Sequence, residues 1–237
     1  MSFCAEPTIG HNTSINANSK YDFRLFVIFY LKAILIRKVN AFYENYVIFA
    51  LEKRFEMRKI TNQELNRPSV DEFATMGRIP VVVVLDNVRS AQNIGAFFRT
   101  GDAFAIEGVM LCGITATPPS RDIHKSALGA ELTVKWQYYP TTAECVAKLK
   151  EEGYTVLAIE QVEGAVMLDK LEVDATKKYA LVFGNEVAGV DQQVVDMCDG
   201  AIEIPQMGTK HSVNVSVAGG ILMWEFFTGL QHLLEKR

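Results

Sequence analysis

Cysteine and histidine are scarce in this sequence, and their positions argue against two kinds of site. The chain of 237 residues has four of each, and its cysteines (Cys4, Cys112, Cys145 and Cys198) lie far apart. No Cys–Cys or Cys–His pair has the close spacing that is typical of a structural zinc site, so we expect no metal. Widely separated cysteines also indicate a reduced compartment, and we predict a cytoplasmic protein.

Basic charge and long apolar runs are lacking as well. The formal net charge is −4 at pH 7, which excludes a globally basic nucleic-acid binder but permits a local basic patch. The apolar stretch at residues 23–36 is interrupted by Arg24 and Lys32 and is shorter than the roughly 20 residues that span a bilayer. It also lacks the basic start and the cleavage site of a signal peptide. We therefore expect no membrane association.

Residues 1–56 differ in composition from the remainder, because Phe, Ile, Asn, Lys and Tyr make up nearly half of them. Two interpretations are open. Residues 23–55 could form one amphipathic helix that packs on the body or on a partner. Alternatively, the true product starts at Met57, because these five residue types have AT-rich codons, as translated upstream sequence would. We divide the chain into an atypical extension, 1–56, and a body, 57–237.

The body alternates buried-type strands with helices. Continuous apolar, β-branched runs such as Val81–Leu85 predict buried parallel strands, and alternation with helices predicts an α/β domain: a mainly parallel sheet with helices on both faces. The predicted strands are Val81–Leu85, Val109–Cys112, Val134–Tyr138, Tyr154–Ile159, Tyr179–Phe183 and Ala201–Ile204. The predicted helices are Asn62–Asn66, Val70–Met76, Asn93–Ala105, Thr141–Glu152, Asp191–Cys198 and Val213–Leu234.

Three segments rich in glycine, amide and hydroxyl residues follow predicted strands, where open α/β sheets bind their ligands. They are residues 86–99, 183–190 and 204–216. In the first, Ser90 or Asn93 can cap a helix. In the second, two glycines bracket Glu186. In the third, a loop leads into a helix whose first turn is expected to hold Ser212 and Asn214, and whose free amides could bind a carboxylate or phosphate.

Two common phosphate-binding patterns are absent from the sequence. Neither GxxxxGK[ST] nor GxGxxG follows a strand, which disfavours a Walker NTPase and an ordinary dinucleotide fold. A phosphate-binding enzyme that uses the Gly208–Ser212 loop stays an alternative. Cations close to the three segments could form a local patch that contacts the phosphates of a nucleic acid. These candidate nucleic-acid-binding residues are Arg89, Arg121, His124, Lys125 and Lys210.

The order of the three segments resembles the motifs of the SpoU family, RNA ribose 2′-O-methyltransferases of the SPOUT superfamily. The motifs are Asn93 to Arg99, then Phe183-Gly184-Asn185-Glu186-Val187-Ala188-Gly189, then Ile204-Pro205-Gln206-Met207-Gly208 with Ser212 to Ala218. The resemblance covers residues 80–230 approximately. It implies an α/β fold with a C-terminal deep trefoil knot, S-adenosylmethionine bound in that knot without a metal, a tRNA or rRNA substrate, and a homodimer whose sites use both subunits.

The resemblance also implies roles for individual residues. The catalytic set would be Arg99, Asn93, Glu186, Ser212 and Asn214, and the donor-binding positions would be Gly184, Ile204, Val213 and Ile159. Because a guanidinium is effectively never deprotonated, we expect Arg99 to orient the substrate phosphate and stabilise the developing alkoxide rather than act as a base.

Two departures limit what the resemblance implies. Val213 stands where many relatives have leucine, and the RNA-binding module that some relatives carry at either end is missing, so tRNA and rRNA are not distinguished. A non-catalytic RNA-binding protein on the same fold is the other alternative. Such a protein would be expected to lose Arg99 or the polar residues of the third motif, which this sequence keeps.

Overall fold

The computed structural model describes residue 28, residues 31–38 and residues 58–234. The chain divides into two compact units, residues 1–66 and residues 67–237. In the first unit, residues 31–38 are helical and exposed. The predicted helix Asn62–Asn66 is wrong: these residues form turns, since Asn66 has a left-handed φ of 45° and Pro68 follows two residues later. The proposed extension 1–56 lies mostly outside the described residues, and its boundary stays a prediction.

The second unit is built on a seven-stranded parallel sheet with strand order β3-β2-β1-β6-β4-β7-β5. The strands are β1 Ile79–Asp86, β2 Ile106–Cys112, β3 Trp136–Tyr139, β4 Tyr154–Ile159, β5 Val166–Met167, β6 Lys178–Phe183 and β7 Gly200–Glu203. The helices are α1 Val70–Thr75, α2 Ala91–Ala103, α3 Arg121–Ala127, α4 Thr142–Glu151, α5 Gln192–Met197 and α6 Val215–Leu230. Short 3-10 helices occupy Ala130–Leu132, Leu168–Lys170 and Gln231–Leu233.

The predicted α/β architecture, with helices on both faces, is confirmed. One face of the sheet packs against α2, α3 and α6 in a cluster that includes Phe97, Ile123 and Phe226. The other face packs against α4 and α5 through residues such as Leu149 and Val194. Successive residues of β1 alternate between the two clusters, as side chains of a strand buried on both faces must.

The structure also corrects other predicted elements: α2 begins at Ala91 rather than at Asn93, and β3 begins at Trp136 rather than at Val134. Helix α3 lies in a segment that was predicted only as a basic stretch after a loop, and the two-residue strand β5 was not predicted. Helix α6 begins at Val215 rather than at Val213, because Asn214 is its N-cap and its side chain accepts hydrogen bonds from the amides of Ser216 and Val217. None of the helices in the described ranges is long and apolar enough to cross a membrane.

Helices α2 and α3 cross in close contact at Gly95. A Cβ atom at that position would lie 2.0 Å from Ser126 Oγ and 2.5 Å from the carbonyl oxygen of Ile123. Backbone atoms cannot move aside as a side chain can, so only glycine permits this approach. The contact fixes α3, and the loop before it, beside the helix that carries the first motif.

We expect Gly95→Ala to lower the free energy of unfolding by about 1–3 kcal/mol through overpacking, measured by urea denaturation. Gly101→Ala is a matched control in the same helix, because its Cβ would meet the rotatable end of Ile106, with Cδ1 at 2.7 Å. The control should therefore lose less stability. Equal stabilities of the two variants would contradict the close α2–α3 contact.

Candidate active site

The three predicted site segments meet at the carboxyl edge of the sheet. They follow β1, β6 and β7, and in the strand order β6 lies beside β1, with β4 between β6 and β7. Leu85 pairs with Phe183, Phe183 pairs with Ile159, and Ile159 pairs with Ile202. Because all of these strands are parallel, their following loops leave from the same edge.

Asp86, at the end of β1, is buried and ties three elements together. Its Oδ1 accepts a hydrogen bond from the hydroxyl of Thr142, at the start of α4. Its Oδ2 accepts one from the backbone amide of Asp191 at 3.1 Å, just before α5. A buried carboxylate needs such partners. Asp86 was not among the predicted site residues, although a carboxylate that ends a continuous apolar run is an available signal.

The loop after β6, residues 184–190, is held closed by Asn185. The backbone groups of Asn185 and Gly189 exchange hydrogen bonds of 2.9 Å in both directions. The side-chain oxygen of Asn185 accepts from the amide of Val187 at 2.9 Å, and its Nδ2 donates to the carbonyl of Asn87 at 2.8 Å. Asn185 therefore shapes the second motif and joins it to the end of β1.

Glu186 lies at the tip of this loop and bonds to the N-terminal end of α2. Its Oε2 accepts from the amide of Arg89 at 3.0 Å, and its Oε1 accepts from the amide of Ser90 and from Asn93 Nδ2, both at 3.0 Å. Ser90 is the N-cap of α2, which confirms one of the two predicted caps. A carboxylate is stabilised here by the amides and the positive end of the helix dipole.

Hydrogen bonding decides the charge of Glu186. Partial burial acts to raise the pKa of this carboxyl group, but the hydrogen bonds from the amide of Arg89 and its neighbours outweigh burial and lower the pKa below its ordinary value. Glu186 is therefore ionised at neutral pH, and the charge draws the second motif onto the first.

Asn93 extends this network to the third motif. Its side-chain oxygen accepts from Asn214 Nδ2 at 3.2 Å and from Ser216 Oγ at 3.3 Å, while its own Nδ2 donates to Glu186. Four polar side chains from three separate segments thus form one chain of hydrogen bonds. Ser216 lay inside the third motif but was not assigned a role from the sequence.

A cavity of about 540 Å³ lies beside this network. Its lining includes all four predicted donor-binding residues, and the structure brings together Gly184, Ile204, Val213 and Ile159. Glu186, Ser212 and Asn214 also line it. Glu160 and Gln161, which were not predicted, complete one wall: Glu160 Oε2 accepts from the amide of Val190 at 2.9 Å, and Gln161 Nε2 donates to the carbonyl of His211 at 2.9 Å.

Gly184 is constrained by the loop itself. A Cβ atom there would lie 2.0 Å from the backbone carbon of Gly189 and 2.1 Å from the amide nitrogen of Val190. A larger residue would therefore force the 184–190 loop open, and with it the wall of the cavity.

The loop after β7 differs from the predicted phosphate-binding helix end. Ser212 lies in this loop, outside α6. Because Asn214 occupies the amides of Ser216 and Val217, these donors are not free for an anion.

The structure does not bring the predicted arginine into this network. Arg99 is exposed on α2, two turns from the N-cap, and lies outside the cavity lining. Within the described residues its guanidinium makes no hydrogen bond or ion pair.

The five predicted RNA-binding residues are all exposed but are spread over three places. Arg89 precedes α2, Lys210 lies in the loop after β7, and Arg121, His124 and Lys125 are on α3. Two of them are already paired, since His124 Nδ1 contacts Glu131 and Lys125 Nζ lies 2.8 Å from Asp122. Among the described residues, no group of three or more His, Cys, Asp or Glu side chains could hold a metal ion.

Known proteins are similar to this chain in sequence and in fold. The tRNA (guanosine(18)-2′-O)-methyltransferase of Thermus thermophilus is 33% identical over 162 residues, which are 68% of this chain and 81% of that protein. The structure of the A. aeolicus TrmH/SpoU tRNA modifying enzyme aligns with a TM-score of 0.61 and 26% identity, covering 69% of this chain and 82% of that one.

A longer relative is similar over part of its length. The AdoMet-bound rRNA methyltransferase of Sinorhizobium meliloti aligns with a TM-score of 0.59 and 28% identity, covering 71% of this chain. The aligned region spans 61% of that protein. Fold, motif order and relatives together define the class as α/β enzymes that methylate RNA.

The profile of the SpoU rRNA Methylase family matches residues 80–224, more than half of the chain, and the chain belongs to this family. The resemblance found in the three motifs is confirmed.

We expect Glu186→Gln to lower the free energy of unfolding at pH 7 by about 1 kcal/mol, because it removes a charged acceptor from a partly exposed site. A lowered pKa in the folded state means that the stabilisation is complete above the ordinary carboxyl pKa of about 4.3 and is lost as pH falls through the lowered folded value. The difference between wild type and variant should therefore shrink in urea denaturation at about pH 3.

Glu163→Gln is the matched control, since Glu163 is exposed in a loop and makes no hydrogen bond within the described residues. It should change stability little at either pH. A Glu186→Gln difference that stays constant from pH 7 to pH 3 would show that the Glu186 charge does not stabilise the site.

Proposed function

We propose that this protein transfers a methyl group from S-adenosylmethionine to a ribose 2′-hydroxyl of RNA, either tRNA or rRNA, in the cytoplasm. The single observation that carries the proposal is the meeting of all three family motifs around one cavity, joined by the Glu186–Asn93–Asn214 network. The relatives support it: one is named for ribose methylation of tRNA, and another is an rRNA methyltransferase with bound AdoMet.

The cavity fits the proposed donor. Its volume of about 540 Å³ lies within the range of small-molecule sites. Among its described lining residues are the carboxylates Glu160, Glu186 and Glu203, with His211 but no lysine or arginine. A polyphosphate would be repelled by these charges, whereas a cationic sulfonium would be attracted. The donor supplies an activated methyl group on that sulfonium.

This charge pattern disfavours the phosphate-binding alternative. The Gly208–Ser212 loop leads to a helix end whose first amides are taken by Asn214. A phosphate at this position would find neither free helix amides nor a cation among the described lining residues.

The chain's own polar network would hold the donor and the ribose in place. Gly184, Ile204 and Val213 would present backbone to the donor. Glu186 holds the second motif against the N-terminal end of α2. Asn93, on that helix, holds the side chain of Asn214 through a hydrogen bond. We assign Glu186, Asn93 and Asn214 as positioning residues and Ser212 as a cavity residue that would contact the ribose. Such fixed geometry lowers the barrier by presenting the reactants in a near-attack arrangement.

Arg99 would act from the RNA side. Gly95 marks the side of α2 that contacts α3, and Phe97 marks the side that contacts α6 at Gly219. By helical spacing, Arg99 lies on the exposed strip of α2 between these two sides. A guanidinium exposed there can meet an RNA phosphate and stabilise the developing alkoxide without serving as a base. A phosphate oxygen or water would then accept the hydroxyl proton.

A homodimer is part of the proposal, and α6 supplies its support. Val217, Ile221 and Trp224 recur along one exposed strip of this helix, with Trp224 53% exposed. Val213, which lines the cavity, lies two residues before this helix and is also exposed. A second copy of the chain packed on this strip would bury these apolar side chains close to the donor cavity.

Trp224→Glu should then give monomers in sedimentation equilibrium, because a charge cannot be buried in such an apolar contact without cost. An unchanged mass would contradict this interface.

A deep trefoil knot at the C-terminus also belongs to the proposal. Strand β7 is separated from β1 by β6 and β4 in the sheet. After β7 the chain crosses back towards β1, and α6 packs in the same cluster as α2 and β1. The connection from β7 to α6, residues 204–214, lines the same cavity as the 184–190 loop. Threading through that region is the arrangement that the family resemblance implies. A crystal structure in which residues 204–214 pass outside the loop would overturn it.

Methyl transfer is the direct test of the proposed function. Purified protein, RNA from a strain lacking the gene and methyl-labelled S-adenosylmethionine should give labelled nucleotides that resist alkaline hydrolysis, because a 2′-O-methyl group blocks attack by the 2′-oxygen. Asn214→Ala should lower the single-turnover rate while the protein stays folded. Donor and RNA binding without any transfer would favour the non-catalytic alternative instead.

We expect Arg99→Lys to retain donor binding and most RNA binding but to turn over more slowly, by on the order of 10²–10³. Lysine keeps the charge but loses the planar fork that can hold a phosphate at two points. Single-turnover kinetics and donor calorimetry separate these steps. Near-wild-type rates for Arg99→Lys and Arg99→Ala together would place the catalytic group elsewhere.

A further inference from the structure

A second cavity, here called the Trp136 cleft, lies away from the donor cavity at the β3 edge of the sheet. It has a volume of about 580 Å³, which is large enough for a nucleoside. Its lining consists of residues from the loop before α3, from α3 itself, from the short helix that follows and from β3: Pro118, Pro119, Ser120, Arg121, His124, Glu131, Leu132 and Trp136.

The walls of the Trp136 cleft are open apolar surfaces. Trp136 is 38% exposed and Leu132 is 78% exposed. Tyr138 lies two residues along the same edge strand, so it is on the same face, and it is 45% exposed. Indole and proline rings present flat faces, and an exposed flat aromatic face favours a flat partner that can stack on it.

One polar residue that lines the Trp136 cleft is a buried carboxylate, Glu131, which His124 contacts. Glu131 is only 8% exposed; burial acts to raise the pKa of its carboxyl group, but hydrogen bonding, mainly from His124, lowers it overall. Within the described residues its second oxygen, Oε2, is buried without a hydrogen-bond partner. An unpaired buried acceptor is costly, so a ligand that brings an N–H donor would be favoured.

The cationic group at the Trp136 cleft is available for a phosphate. Arg121 is exposed at the start of α3 and makes no hydrogen bond or ion pair within residues 58–234. Because α3 is held against α2 at Gly95, Arg121 and Arg99 are carried by two helices in direct contact. An RNA backbone that meets Arg99 can therefore continue to Arg121.

We propose that the Trp136 cleft binds one unpaired base of the RNA substrate, stacked on Trp136 with its Watson–Crick edge towards Glu131 and its phosphate at Arg121. This inference rests on the proposed function, since RNA is the ligand. Each RNA base has an N–H donor on that edge, and the edge and both base faces are free only when the base is unpaired. The cleft therefore selects single-stranded or extruded nucleotides near the methylated position.

Tryptophan fluorescence tests this proposal directly. The chain has two tryptophans, Trp136 and Trp224, so Trp224→Phe leaves Trp136 as the only indole. A single-stranded heptanucleotide that contains all four bases, added without donor, should quench the emission of this variant, because a stacked base quenches indole. The same RNA annealed to its complement should quench much less. Trp136→Phe, which keeps Trp224, should show no comparable quenching.

Affinity measurements complete the test. Trp136→Ala should weaken binding of the heptanucleotide roughly 5- to 150-fold, the range expected for losing one base–aromatic stack. Trp136→Phe should retain most of the affinity. Leu128→Ala is the matched control, since Leu128 is exposed near the cleft but does not line it. Calorimetry with S-adenosylmethionine should give the same donor affinity for all variants.

The outcomes separate the two proposals. If RNA quenches Trp136 and Trp136→Ala loses RNA affinity, but the protein does not bind the donor, the Trp136 cleft proposal is supported and the methyl-transfer proposal is overturned. Donor binding and methyl transfer, with RNA affinity unchanged in Trp136→Ala, would overturn the cleft proposal alone. A change in oligomeric mass for Trp136→Ala, again without loss of RNA affinity, would instead make this edge a contact between copies of the chain.

Discussion

The carboxylate of Glu186 accepts hydrogen bonds from the amides of Arg89 and Ser90 and from the side chain of Asn93. Nearly a hundred residues of chain separate Glu186 from these three donors. These three hydrogen bonds hold the 184–190 loop over the N-terminal end of α2. Asn93 in turn bonds to Asn214 at the start of α6. Together with the bond from Asn185 to Asn87, these bonds hold the three motifs in one fixed arrangement at the edge of the sheet.

The backbone around that carboxylate is shaped to permit the contact. Gly184 lets the 184–190 loop fold back on its own backbone, and Asn185 holds it closed and ties it to Asn87. Asp86 fixes the end of β1 against α4 and the start of α5. These residues do not have to touch a substrate to matter. They set the positions of the amides and oxygens that line the cavity, and a rigid site requires such support.

Much of this arrangement could be predicted from the sequence. The runs Val81–Leu85 and Tyr179–Phe183 are strands because β-branched and apolar residues without alternation suit a sheet buried on both faces. The motifs placed Gly184, Ile204, Val213 and Ile159 around one cavity, and the structure brings them there. Residues at strand ends are predictable in this way because parallel strands deliver them to a single edge.

Other features could not be predicted, because they depend on contacts between segments that are distant in the sequence, and the local sequence pattern holds no information on such contacts. The start of α6 was predicted two residues too early, because Val213 fits a helix and only the capping bonds of Asn214 exclude it. Helix α3 was missed, since its polar composition resembles a loop and its burial comes from Ile123 and from the crossing at Gly95. Glu160 and Asp86 gain their roles from partners thirty or more residues away.

The cavity built from the three motifs is the proposed site of the methyl donor. An NMR titration of isotope-labelled protein with S-adenosylmethionine, following the backbone amides, locates the bound donor. We expect the largest shifts at Gly184, Ile204 and Val213, with smaller shifts at Arg89 and Ser90, whose amides bind Glu186. Shifts that centre on another surface while these amides stay unchanged would contradict this placement of the donor.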